Sequence, residues 1–248
     1  MANDYFRFKH FTIWQQHCAM KVGTDGVLLG AWADGGKRIL DIGTGTGLIA
    51  LMMAQRFPSA EVTAVEIDRQ AALQARENVS ASPFANRVNV VHDDILRFSD
   101  ACGDNHFDAI VCNPPFFINS LKNPDSKRAL ARHNDNLSFC QLFSVCRKLL
   151  IPKGCFSLVA PLEVKQEIDS EAVMAGFFQL HCVLIKTTPN KLPKRCLMKF
   201  SKQSLERLSQ QEVILQEVSG ERSEWYQSLT DDFYLSKDEL SVSIVDLS

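Results

Sequence analysis

The sequence predicts an α/β fold: a mostly parallel sheet with one antiparallel strand and helices on both faces. Three observations carry this reading. From residue 38 to 175, short apolar runs alternate with longer helical patterns, the rhythm of βαβ units. The runs are too apolar for strands with one wet face, so the sheet is covered on both sides. The last two runs are joined by only nine residues, 187–195. A crossover between parallel strands needs a dozen or more, so that pair is antiparallel.

Taken in order, 38–42 is a strand stopped by glycines, and 47–55 is the helix beyond them. Residues 61–66 form the next strand and 69–80 the next helix. Runs 88–92 and 107–112 are two further strands, and 136–150 is helical. The turn Pro152-Lys153-Gly154 introduces a strand at 154–160, followed by a helix over 162–175. Runs 178–186 and 196–201 are the antiparallel pair, linked by the Pro- and Lys-rich connector. Beyond Ser204 the pattern is weak and the C-terminus is polar, so the end is expected to fray. There is no internal repeat. The whole chain, 1–248, reads as one domain: an N-terminal segment 1–36, a core over 37–202 and a C-terminal appendage 203–248.

Composition narrows the class. Hydrophobic residues at 46% and charged residues at 23% exclude a disordered or fibrous chain. No apolar stretch approaches the roughly 20 residues that span a bilayer. With 27 Lys+Arg against 29 Asp+Glu, a uniformly basic nucleic-acid coat is excluded, whereas a local basic face is not. The eight cysteines form no C-x-x-C pair, and no His/Cys cluster has metal-ligand spacing, so no metal is expected. Free thiols and the lack of an apolar leader core near the N-terminus point to the cytoplasm.

Asp41-Ile42-Gly43-Thr44-Gly45-Thr46-Gly47 lies between a strand and a helix. Three glycines in five residues allow a tight turn and close approach of a ligand with no Cβ in the way. Glu66 ends the next strand, where a carboxylate can accept two hydrogen bonds from a ribose diol. Asp94 ends the third strand, where an acceptor can meet an adenine amino group, while Asp93 reads as a solvated charge or helix cap. All these strand ends lie on one edge of the sheet, where open α/β folds bind ligands. A dinucleotide G-x-G-x-x-G fingerprint fails at Leu48. The D-x-G-x-G-x-G form instead resembles the first motif of class I S-adenosylmethionine-dependent methyltransferases. That resemblance implies a Rossmann-like class I methyltransferase fold with a seven-stranded sheet, and S-adenosylmethionine as cofactor. It implies Glu66 on the ribose hydroxyls, Ile67 packed on the adenine and Asp41 near the methionyl part. Lys21, Thr24, Gly43, Gly45, Gly47, Asp94, Ile95 and Asn113 complete the implied cofactor contacts.

Asn113-Pro114-Pro115-Phe116 follows the strand 107–112 directly. Two prolines remove two N–H donors and fix the backbone, leaving carbonyls free to accept. The Asn side chain adds an acceptor and Phe116 an aromatic face. Two acceptors beside a stacking platform suit a planar group bearing an NH₂. The motif resembles the (Asn/Asp)-Pro-Pro-(Tyr/Phe) signature of amino-group methyltransferases, which implies Asn113, Pro114 and Phe116 as catalytic residues.

Two basic runs flank this motif. One lies in 117–134 and includes Arg128 and Arg132; the other spans 186–202 with six basic residues and no acid. Beside a base-sized pocket they read as a phosphate track carried by Arg128, Arg132, Lys191, Lys194 and Arg195. The N-terminal Phe6, Phe8, Phe11 and Trp14 read equally as core or as contact residues. Lys21-Val22-Gly23-Thr24-Asp25-Gly26 resembles the segment before the first strand in bacterial tRNA1(Val) adenine-N6 methyltransferases. That narrower resemblance covers about Phe6 to Lys202 and implies a tRNA substrate methylated at an adenosine next to the anticodon. A protein glutamine, ribosomal guanine or DNA adenine methyltransferase, and a nicotinamide-dependent oxidoreductase, stand as alternatives. No oligomer is implied.

Overall fold

The computed structural model describes residues 4–16, 18, 21–114, 137–204 and 208–236. The chain opens with a two-stranded hairpin, β1 (Tyr5–Arg7) and β2 (Thr12–Trp14), and then helix α1 (Thr24–Trp32). The central alternation runs β3 (Arg38–Ile42), α2 (Leu48–Arg56), β4 (Glu61–Glu66), α3 (Arg69–Ser80), β5 (Val88–His92), α4 (Ile95–Cys102) and β6 (Phe107–Cys112). There follow α5 (Phe139–Leu149), β7 (Leu150–Pro161), a 3₁₀ turn (Leu162–Val164) and α6 (Lys165–Met174). The chain continues with β8 (Phe178–Lys186), β9 (Arg195–Ser201), β10 (Ser209–Ile214) and α7 (Glu224–Thr230).

The main sheet has the order β10-β8-β9-β7-β6-β3-β4-β5. Its ladders are parallel except that β9 runs against both β7 and β8. The antiparallel pair is therefore as expected from its short connector. The sheet has eight strands among the described residues rather than seven. The additional one, β10, has the sequence Ser-Gln-Gln-Glu-Val-Ile and its first four residues are exposed. Its backbone ladder to β8 and the Lys186–Glu212 ion pair hold it at the edge. Such a strand has no apolar alternation to read.

Alternate residues of each strand enter opposite layers. Ile39, Val62, Val111 and Leu197 pack with α1, α2, the hairpin and the C-terminal helix. Leu40, Ile110, Phe156 and Phe200 pack with α4, α5 and α6. Strand β7 begins earlier than the Pro-Lys-Gly turn suggested. Phe107 pairs with Leu150 but Ala109 pairs with Cys155, so residues 151–154 form a bulge within the strand. Helix α1 was not anticipated, since its nine residues include two glycines. Gly30 explains one of them: a Cβ there would lie 2.7 Å from Met52 Sδ, so the missing side chain lets α1 and α2 pack closely. Phe8, Phe11 and Ile13 are core, and Lys9 N donates to Phe233 O, binding the hairpin to the C-terminal segment.

Candidate active site

The parallel strands β3, β4, β5 and β6 deliver their C-terminal ends to one edge, and the expected site residues gather there. Gly43, Gly45 and Gly47 all have positive φ, at 69°, 55° and 83°. Non-glycine residues are strained in that region. At Gly43 and Gly45 a Cβ would meet nothing within 4 Å, so the loop faces open space that a ligand can enter. The loop is tied to β4 by Gly43 N and Thr44 N, which both donate to Val65 O.

Glu66 is buried and braces the loop: its Oε2 accepts from Gly45 N at 2.8 Å and its Oε1 from Asp68 N at 2.9 Å. Each oxygen keeps a lone pair for a diol. Ile67, next in the chain, is 60% exposed, an apolar surface beside that carboxylate. Asp94 caps α4, its Oδ1 accepting from Leu96 N at 2.8 Å, which leaves Oδ2 for a ligand. Ile95 is buried. The helix this cap starts was not anticipated from the sequence.

Asp41 is fully buried. Its Oδ2 accepts from Thr44 Oγ1 at 2.5 Å and from Ala50 N at 3.1 Å. Its Oδ1 has no partner among the described residues. Burial, opposed by those two hydrogen bonds and aided by Glu66, pushes its carboxyl up to about 7. A buried acceptor without a donor, beside an open glycine loop, fits a ligand that brings a cationic donor. Together with the exposed Ile67 and the Glu66 and Asp94 acceptors, these residues fit an adenosine carrying an ammonium tail.

Cys112 pairs with Ile42 across the β3–β6 ladder, so Asn113 emerges one strand spacing, about 4.8 Å, from the glycine loop. Asn113 is half-buried and Pro114 buried. The first turn of α1 lies beside Asn113: a Cβ at Gly26 would lie 3.9 Å from Asn113 Nδ2 and 3.1 Å from Leu48 Cδ2. Lys21 and Thr24, on the segment entering α1, are exposed. Between hairpin and helix the chain passes near Glu66. Burial, with Glu66 and Asp68 adding to it, pushes the Cys18 thiol up to about 11.

The basic connector lies on the same edge, because β9 begins where β7 ends: Arg195 pairs with Pro161. Lys191 and Lys194 are exposed. The other cations of that run are engaged within the chain: Lys186 with Glu212, Arg195 with Asp25, Lys199 with Asp34, and Lys202 with Leu150 O. Phe116, Arg128 and Arg132 lie outside the described residues.

One residue of the site had no local signal. Asn78, fully buried on α3, accepts from Trp14 N at 2.9 Å and donates to Trp14 O at 2.8 Å and Thr46 O at 2.9 Å. It therefore joins the hairpin to the glycine loop. Among the described residues no group of three or more His, Cys, Asp or Glu could hold a metal ion, and no helix is long and apolar enough to cross a membrane.

The methyltransferase small domain family matches residues 22–190. A tRNA1(Val) (adenine(37)-N6)-methyltransferase of Bacteroides fragilis is 47% identical over 238 residues, covering 95% of this chain and 99% of that protein. Proteins with the same name in Trichodesmium erythraeum and Tolumonas auensis are 46% and 39% identical, over 83% and 95% of this chain and 87% and 98% of theirs. Among solved structures, an Agrobacterium tumefaciens protein described as a predicted O-methyltransferase aligns with a TM-score of 0.69 at 24% identity. That alignment covers 84% of this chain and 96% of the other, a likeness of fold.

Proposed function

Because the chain belongs to the methyltransferase small domain family, and within it groups with the tRNA1(Val) (adenine(37)-N6)-methyltransferases, we propose that it methylates the exocyclic N6 amino group of an adenosine in tRNA. The adenosine next to the anticodon of tRNA1(Val) is the proposed target. The observation that carries the mechanism is the position of Asn113-Pro114 one strand from the glycine loop. S-adenosylmethionine supplies an electrophilic methyl group when bound. Gly43, Gly45 and Gly47 make room for it, with Glu66 and Asp94 as acceptors, Ile67 as the apolar face and Asp41 facing its cationic tail. Lys21, Thr24, Ile95 and Asn113 border the same space.

An aryl amine is a weak nucleophile because its lone pair is delocalised into the ring. The Asn113 side-chain carbonyl and the Pro114 backbone carbonyl accept its two N–H hydrogens. They favour a pyramidal nitrogen and stabilise the positive charge that grows on it, a preorganised electrostatic contribution. Phe116, which lies outside the described residues, is the residue proposed to stack on the base. The methylated nitrogen, briefly carrying both hydrogens, is strongly acidic and releases a proton to water, so no protein base or metal is required. We propose that chain 1–248 works as one catalytic unit in the cytoplasm, a reading that free thiols and a tRNA substrate support.

Nucleoside mass spectrometry of tRNA1(Val) incubated with the enzyme and S-adenosylmethionine tests this directly. N6-methyladenosine is expected at the anticodon-adjacent position, and its absence sinks the reading. Asn113→Ala should lower kcat about 100-fold with a smaller change in KM.

A further inference from the structure

The tRNA reading gave Arg195 to the phosphate track, but its contacts give it another task. Arg195 Nε donates to Asp25 Oδ2 at 2.9 Å, and its Nη1 donates to Lys194 O at 3.1 Å. The ion pair spans 170 residues of sequence and links the start of β9 to the first turn of α1. The next residue, Gly26, lies beside Asn113 and Leu48: a Cβ there would come within 3.9 Å of Asn113 Nδ2 and 3.1 Å of Leu48 Cδ2. The first turn of α1 therefore lies next to the Asn113 amide and is tied to the start of β9 by Arg195. Thr24, on the same turn, borders the proposed methyl-donor space.

We propose that Asp25 and Arg195 form a latch that positions the first turn of α1 against Asn113, making Arg195 a positioning residue rather than a phosphate ligand. The proposal rests on the methyltransferase reading and deepens it. The pair is partly exposed, 42% for Arg195 and 33% for Asp25. Such pairs contribute little to global stability. Small displacements at a reacting centre, in contrast, reduce turnover strongly. A guanidinium already matched to a carboxylate also adds little net positive charge for RNA.

The test is a double-mutant cycle on the full chain with Asp25→Asn, Arg195→Gln, the pair together, and the charge-reversed Asp25→Arg with Arg195→Asp. Each single change should lower kcat by about 10-fold or more, with a melting temperature within about 2 °C of the parent. The double variant should be no worse than the poorer single, and the reversed pair should recover much of the loss. The salt dependence of tRNA binding should match the parent in both singles. Amide hydrogen exchange over residues 25–28 should quicken in both singles with no substrate present. That measurement separates failure of the latch from failure of the tRNA reading. Unchanged exchange overturns the latch whatever the substrate proves to be. A weaker salt dependence in Arg195→Gln, with normal turnover in Asp25→Asn, returns Arg195 to the phosphate track.

Discussion

Asp41 keeps a carboxyl group where water does not reach, and its titration makes that cost measurable. Burial raises it from an ordinary 3.8 to about 7. The folded protein therefore holds a proton that the unfolded chain has released across that interval. For an acid raised on folding, this contribution to stability is fully present below pH 4 and is lost as pH climbs through about 7. Asp41→Asn removes the titration while keeping an acceptor for Thr44 and Ala50. Its melting temperature relative to the parent should rise between about pH 4 and 7 and then level off. Ligand binding should carry the opposite sign. An ammonium group facing Asp41 favours the ionised form, so affinity for S-adenosylhomocysteine should increase with pH by up to about tenfold per unit and flatten above about 7. Calorimetry across pH measures both arms. An identical pH profile in Asp41→Asn would mean that the ammonium binds elsewhere.

Between elements, Asn78 is the joint to break. Three hydrogen bonds from one buried amide hold β2 and the glycine loop to α3. Asn78→Ala leaves those backbone groups with poorer partners and should cost about 2–3 kcal/mol. The loss should appear in the denaturant midpoint, together with weaker S-adenosylhomocysteine binding. Lost stability with unchanged binding would uncouple the hairpin from the loop. No sequence pattern flags this residue, because its partners lie 64 and 32 positions away. Legibility follows the same division elsewhere. Strands β3 to β6 and helix α3 are continuous local patterns and occupy the expected residues. The glycine loop, Glu66 and Asn113 were readable because each sits at the end of such a strand. Helix α1 is buried along most of its length and interrupted by glycines that serve tertiary contacts, so it has no periodic polar face to announce it. Helix α4 went unread although its cap, Asp94, was noticed as an acceptor, since one carboxylate can serve both roles. The ion pair of Arg195 with Asp25 was not legible, because a run of cations says nothing about which acids fold against it.

At the scale of the whole molecule, a chain of net charge -2 has no general attraction for RNA. Binding must then rest on where the uncompensated cations stand. Folding removes most of the basic run from contention by pairing Lys186, Arg195 and Lys199 with acids and turning Lys202 onto a backbone carbonyl. Lys191 and Lys194 are left on the connector, at the sheet edge that carries Asn113. The connector is fixed there by Lys194 N donating to Ile185 O and Leu162 N donating to Lys194 O. From β9 to β6 is two strand spacings, about 10 Å, so the connector can meet a phosphate near a base held at Asn113. A base drawn from a stacked loop costs a few kcal/mol to flip, and phosphate contacts close to it offset part of that. Each such contact on a single-stranded loop contributes about 0.7 to the slope of log affinity against log salt. Replacing Lys191 and Lys194 together with Ala should therefore weaken tRNA binding and reduce that slope by about 1.4. Affinity for S-adenosylhomocysteine should hold, because its proposed contacts lie on other loops. Titrations across a salt series decide the matter. If the double variant binds tRNA as the parent does at every salt concentration, these lysines are a solvated face and RNA is held by other groups.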